Sequence, residues 1–183
     1  MADPLRLHLG CGGVALPGYV NIDIQPHPGV DIAADLRRLP FAPGEVDFIY
    51  SCAVIEHFGR REWRAVLAHW RALLRPGATL RLSTADFAAA VARYGEAGDV
   101  SELLGLIIGG QKDSYDWHGM IFDFALLRDG LAAAGFVNIR RYDWRQTDLG
   151  RAGIDDYSQA YLPHMDKENG RLMMLNVEAD QPG

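Results

Sequence analysis

Cysteine is scarce, with two in 183 residues, and no apolar run approaches the roughly eighteen residues that a membrane-spanning helix needs. Two cysteines do not build a disulfide scaffold. The N-terminus shows no basic segment followed by an apolar core, so the expected compartment is the cytoplasm, with Cys11 and Cys52 reduced. Positive charge is also short. The net charge of −6 is spread along the chain, Arg60, Arg61 and Arg64 form the one dense basic patch, and nothing requires a nucleic-acid partner. Repeats and low-complexity tracts are missing. What remains, 49% hydrophobic and 23% charged residues, is ordinary for a single domain over residues 1–183 with a real core.

Glycine is concentrated early. Leu7-His8-Leu9 runs into Gly10-Cys11-Gly12-Gly13, and Val20-Asn21-Ile22-Asp23-Ile24 follows about ten residues later. Such glycines allow positive φ and close approach of a ligand, and Asp23, closing a second strand, is an acceptor suited to a vicinal diol. The pattern points to a nucleoside-containing cofactor. A dinucleotide fingerprint is incomplete here, because Ala15 stands at its third glycine position. Pro17-Gly18 in so short a gap also leaves no room for the crossover helix whose N-terminus would hold a pyrophosphate. S-adenosylmethionine, with an adenosine ribose and no phosphate, suits the loop better than a nicotinamide dinucleotide. The bland alternative is a tight surface turn.

Strand-like runs fall at 5–9, 19–24, 46–51 and 78–83, each followed by small or polar residues of the kind that form ligand loops in a parallel sheet. Trp63, Val66, Leu67, Trp70, Leu73 and Leu74 mark an amphipathic helix over 61–74, ended by Arg75-Pro76-Gly77. Further helices are expected over 86–94, 101–108 and 122–134, the last closed by Gly135, and final strands over 136–144 and 172–179. Residues 145–170 between those strands show little periodicity and suggest a substrate-covering loop. The alternation predicts an α/β fold: a doubly wound, Rossmann-like, mostly parallel sheet with an antiparallel terminal strand and a shortened first crossover.

Leu9-Gly10-Cys11-Gly12-Gly13, Asn21-Ile22-Asp23, Asp35-Leu36-Arg37-Arg38-Leu39-Pro40-Phe41, Asp47-Phe48-Ile49-Tyr50-Ser51 with Glu56-His57, and Leu74-Arg75-Pro76-Gly77 stand in the order of a known set of motifs. Over residues 5 to about 85 the chain resembles the class I S-adenosylmethionine-dependent methyltransferases. Gly109-Gly110-Gln111, Trp117-His118-Gly119 and Ala134-Gly135-Phe136 are similar to the small members associated with polysaccharide biosynthesis. The resemblance implies that Gly10, Cys11 and Gly12 pass the methionine moiety, with His8 standing where the family usually has an acidic residue. It implies that Asp23, with Ile24 beside it, binds the ribose hydroxyls and that Asp35 and Leu36 meet the adenine. Ser51 to Val54, Ala53 among them, would lie under the sulfonium.

Methyl transfer is an in-line displacement, so alignment and water exclusion dominate, and a hydroxyl acceptor also needs a base. His57, His118 and Asp86 are the candidates. Each has a structural alternative: Glu56-His57 as a helix cap, Asp86 as an N-cap, His118 as a satisfied core group. Asp113, Asp116, His118 and Asp123 have the ligand types of a hard-cation site, though carboxylates this dense are mostly solvated surface and no metal is expected. Phe41, Tyr50, Phe58, Tyr115, Trp117, Tyr161 and His164 are either acceptor-pocket or core residues. The expected activity is O-methylation of a sugar or other small molecule. Its alternatives are a catalytically inactive S-adenosylmethionine-binding partner subunit and a nicotinamide dehydrogenase. The expected partners are a small-molecule acceptor and a second copy in a homodimer, with no membrane span.

Overall fold

In the computed structural model, which describes residues 3–183, seven strands form one sheet in the order β3-β2-β1-β4-β5-β9-β6. In chain order the elements are β1 (Arg6–Leu9), β2 (Val20–Asp23), β3 (Ile32–Ala33), β4 (Val46–Cys52), α1 (Trp63–Leu73), β5 (Leu74–Ala85), α2 (Phe87–Ala97), α3 (Leu104–Ile108), α4 (Phe124–Ala133) and β6 (Val137–Arg141), then α5 (Asp148–Arg151), β7 (Tyr161–Leu162), β8 (Arg171–Leu172) and β9 (Met174–Asp180). Strands β1 to β5 pair in parallel, and β9 runs antiparallel between β5 and β6. This is the doubly wound sheet with an antiparallel last strand that the alternation predicts.

Period-two alternation gives the sheet two unlike faces. Leu7, Leu9, Ile49, Leu80, Leu82 and Val177 share the core with Trp63, Leu67 and Trp70 of α1 and Leu127 and Leu131 of α4. Each large apolar side chain buried there contributes about 1.5–3 kcal/mol relative to exposure. The alternate residues His8, Tyr50, Arg81, Ser83 and Asn176, linked through the register of β1, β4, β5 and β9, lie on the other face. That face is closed by the segment between β6 and β9. Leu149 packs with Leu16, Tyr19 and Tyr50, Asp148 pairs with Arg6 at 2.6 Å and Arg81 at 2.7 Å, and Tyr50 donates to Asp156 at 2.5 Å.

The first crossover contains no helix, as its length and Pro17 require. Asn21 organises it instead, its Nδ2 donating to the Leu16 and Tyr19 carbonyls and to Asp31, and its Oδ1 accepting from the Leu16 N–H.

Several expected boundaries shift. Strand β5 starts at Leu74, four residues before the expected strand, and includes Pro76-Gly77, with Gly77 at φ 78°. The helix over 101–108 is a 3-10 turn at Ser101–Leu103 followed by the five-residue α3. The expected strand 136–144 narrows to β6, with Trp144 in a 3-10 turn capped by Asp143. Leu172, expected to open the last strand, instead joins Arg171 in β8 and pairs with β7. Residues 145–170 are not irregular, holding α5, a 3-10 turn at Tyr157–Gln159 and β7, each too short to show a period.

Gly130 of α4 packs on α1: a Cβ there would meet the buried Trp63 ring at 2.1 Å. Gly130→Ala should cost roughly 1–3 kcal/mol by overpacking, read as a lowered thermal midpoint.

Candidate active site

The carboxyl ends of β1, β2 and β4 open into a cavity of about 400 Å³ lined by Gly10, Asp23, Ile24, Asp35, Leu36, Arg37, Ala53, Val54, His57, Phe58, Ser114, Tyr115 and Trp117. Gly10 turns the chain at φ 68°, its N–H donates to the Ile22 carbonyl at 2.8 Å, and a Cβ there would strike Val54. Only glycine fits that corner. Asp23 accepts from the Gly12 N–H at 2.8 Å through one oxygen and from the Gln25 N–H at 2.9 Å through the other. Each oxygen keeps a further lone pair. Asp35 is held by the Arg37 N–H and guanidinium, and Arg37 also lies over the Phe58 ring.

A second cavity of about 510 Å³ shares Ala53 and His57 with the first. Its wall includes Glu56 and Ala85 from the sheet side, Leu106 and His118 from the long connection to β6, and Tyr161, His164 and Met174 from the region before and into β9. The two spaces meet at Ala53 and His57. His57 Nδ1 lies 3.1 Å from the Trp117 carbonyl and His118 Nδ1 lies 3.1 Å from the Leu106 carbonyl. A nitrogen facing a carbonyl must carry the proton, so the neutral form of each ring has its basic lone pair on Nε2. The rings stand edge to face, centroids 4.8 Å apart. Burial, followed by the charge of His57, lowers the His118 pKa.

Of the residues expected from sequence, Gly10, Asp23, Ile24, Asp35, Leu36, Ala53 and His57 converge on the first cavity, and His57 and His118 on the second. Cys11, Gly12 and Ser51 back the loop and sheet without lining either space. Burial raises the Cys11 thiol to about 11. His8 also misses the cavity. Its ring is on the opposite face, stacked on Tyr50 at 5.3 Å, with Nδ1 3.2 Å from Asn21 Oδ1, because alternation turns it away from Leu7 and Leu9. Asp86 caps α2 by accepting from the Ala88 N–H at 3.0 Å, pairs with Arg141, and borders a separate small crevice. Its N-cap alternative describes what the structure shows.

Phe58, Tyr115 and Trp117 line the first cavity and Tyr161 and His164 the second, whereas Phe41 and Tyr50 pack in the core. Arg37 and Ser114 also line the first cavity. Arg37 lies within a motif read for Asp35 and Leu36, and Ser114 carries no distinguishing pattern. Asp113, Asp116 and Asp123 accept nearby backbone N–H groups, and among the described residues no three His, Cys, Asp or Glu stand close enough to hold a metal.

Burial also lowers the pKa of His8. The unfolded chain takes up protons near 6.5 while folded His8 and His118 resist, so stability is lost as pH falls below 6.5. Thermal melts should show a lower midpoint at about pH 5.5 than at about pH 7.5, with a smaller drop in His8→Gln.

Residues 7–82 match the methyltransferase domain family. No protein in the curated set matches. Among solved structures, the chain superposes on the complex of the Haloferax volcanii Trm112 methyltransferase activator and a methyltransferase with TM-score 0.60 and 14% identity, covering 99% of this chain and 84% of the other. For Burkholderia thailandensis 1,6-didemethyltoxoflavin-N1-methyltransferase, solved with 1,6-didemethyltoxoflavin and S-adenosylhomocysteine, the TM-score is 0.58 with 14% identity over 99% and 72% of the two chains. An S-adenosylmethionine-dependent methyltransferase from Mesorhizobium loti gives 0.55 and 14% over 98% and 91%. At these identities the likeness is one of fold. No helix among the described residues is long and apolar enough to cross a membrane.

Proposed function

We propose that this chain is an S-adenosylmethionine-dependent methyltransferase that methylates a hydroxyl of a small molecule, with a sugar as the leading class, holding its cofactor in the first cavity and its acceptor in the second. The observation that carries this reading is the junction: one space with a glycine corner and a diol-binding carboxylate meets another at Ala53 and His57. The residues present fit the cofactor. Gly10 leaves backbone open to the methionine end, Asp23 has lone pairs for two ribose hydroxyls, and Asp35, Leu36 and Phe58 supply a polar edge and apolar surfaces for adenine. When bound, S-adenosylmethionine supplies an electrophilic methyl group.

The chain's own task is to bring the acceptor hydroxyl to the junction and take its proton. His57 suits the second role, with Nδ1 tied to the Trp117 carbonyl and Nε2 left basic. His118 braces it edge-on, and burial lowers its pKa. Tyr115 and Trp117 flank the first cavity and help exclude water. A sugar acceptor and a place in polysaccharide biosynthesis rest on the resemblance of residues 109–111, 117–119 and 134–136 alone. Methyl transfer to a panel of hydroxyl and amine acceptors, followed by mass spectrometry, tests the reading. A methyl ether product supports it, and turnover of amines alone would refute the hydroxyl assignment.

A further inference from the structure

Residues 110–117 form a loop bound chiefly to itself. The Asp116 carboxylate accepts from the Gly110 and Lys112 N–H groups at 3.2 and 3.3 Å, its carbonyl accepts from the Gln111 N–H at 2.8 Å, and Asp113 accepts from the Tyr115 N–H at 2.7 Å. The neck is pinched. Gly109 turns at φ 83°, a Cβ there would meet the Asp116 carbonyl at 2.5 Å, and the His118 N–H donates back to the Ile108 carbonyl at 3.2 Å. A loop closed on itself in this way keeps its shape and shifts as one piece. Its Ser114, Tyr115 and Trp117 line the first cavity together with Gly10 and Asp23 from the strand ends. Among the described residues, two hydrogen bonds join the loop to the fold beyond its neck. Gln25 Nε2 donates to Asp113 at 3.2 Å, and His57 Nδ1 meets the Trp117 carbonyl at 3.1 Å.

We propose that Gln25 and Asp113 are positioning residues for methyl transfer: they fasten the loop across the cofactor cavity, so that the Trp117 carbonyl stays on His57 and the basic lone pair stays on Nε2. This rests on the reading of the first cavity as the cofactor site and of His57 as the base. Released from that carbonyl, a neutral imidazole can carry its proton on either nitrogen, and the Nε2–H form has no lone pair there to take a proton. Asp113 suits the fastening role as a carboxylate, its pKa held low by the Tyr115 N–H and then by Gln25. The Gln25 backbone N–H donates to Asp23 while its side chain holds Asp113, so ribose carboxylate and loop share one anchor. A cofactor that touches both Asp23 and the loop residues therefore links its own binding to the state of the base.

The test reads the His57 tautomer by nitrogen NMR of histidine-labelled protein at about pH 8, above the ordinary histidine range, with and without S-adenosylhomocysteine. Gln25→Glu sets a second carboxylate against Asp113, whereas Gln25→Lys offers it an ammonium. Wild type should hold His57 in the Nδ1–H form. Gln25→Glu should lower the ratio of Nδ1–H to Nε2–H by about fivefold, the scale of one net hydrogen bond, and Gln25→Lys should retain it. S-adenosylhomocysteine should restore part of the ratio in Gln25→Glu. His118, whose Nδ1 faces the Leu106 carbonyl of α3, should keep its form throughout, which separates lost positioning from general loosening. With hydroxyl acceptors, kcat should fall in Gln25→Glu by a similar factor. The proposal is overturned if His57 keeps its ratio in Gln25→Glu, if His118 shifts as much as His57, or if Gln25→Glu and wild type share one kcat. Failure of wild type to bind S-adenosylhomocysteine, or to methylate any hydroxyl, would instead overturn the cofactor or base reading beneath it, so the failures are separable.

Discussion

Asp23→Ala is expected to weaken S-adenosylhomocysteine binding by about a hundredfold or more, because hydrogen bonds to a charged group are worth about 1.5–3 kcal/mol each and a ribose diol makes two. The substitution also releases the Gly12 and Gln25 N–H groups, so the glycine loop loses the carboxylate that ties it to the end of β2. Asp23→Asn keeps one acceptor oxygen and should fall between the two. Calorimetric titration reads the affinities, and thermal melts separate lost binding from lost folding. Equal affinity in Asp23→Ala and wild type would remove the ribose assignment.

The second large effect is expected at His57. His57→Gln removes the proton acceptor at the junction of the two cavities, and kcat should fall by about 10²–10⁴, the range for loss of a positioned base. S-adenosylhomocysteine affinity should change far less, since Asp23, Gly10 and Leu36 remain in place. Stopped assays at saturating cofactor measure the first quantity and titration the second. A kcat within a fewfold of wild type would move the base role elsewhere, with His118 the next ring in the same cavity.

The parts of this account legible in the sequence are those fixed by short-range pattern. Gly10 and Asp23 stand at strand ends, where loop and acceptor are read directly, and Pro17 with a ten-residue gap announces the missing crossover helix. The stripe from Trp63 to Leu74 gives α1 within two residues at either end. Alternation also held the answer for His8. Leu7 and Leu9 face α1 and α4, so the residue between them must point the other way, toward Tyr50.

The second cavity was not legible in the same way. Its wall joins residues from 53 to 174 that meet only after β9 inserts between β5 and β6. Glu56 illustrates the limit most plainly. In sequence it reads as a cap beside a histidine, and only the packing shows it buried at the wall of the second cavity. The segment over 145–170, expected as a substrate cover, divides its work. Leu149 and Asp156 close the sheet face left bare by the absent crossover helix, while Tyr157, Tyr161 and His164 line the second cavity.

The most direct test of the whole arrangement is a crystal structure with S-adenosylhomocysteine. The ribose hydroxyls are expected on Asp23, adenine beside Leu36 and Asp35, and the sulfur atom at Ala53 and His57 facing the second cavity. A ligand bound elsewhere, or one in the first cavity with its sulfur turned away from that junction, would contradict it.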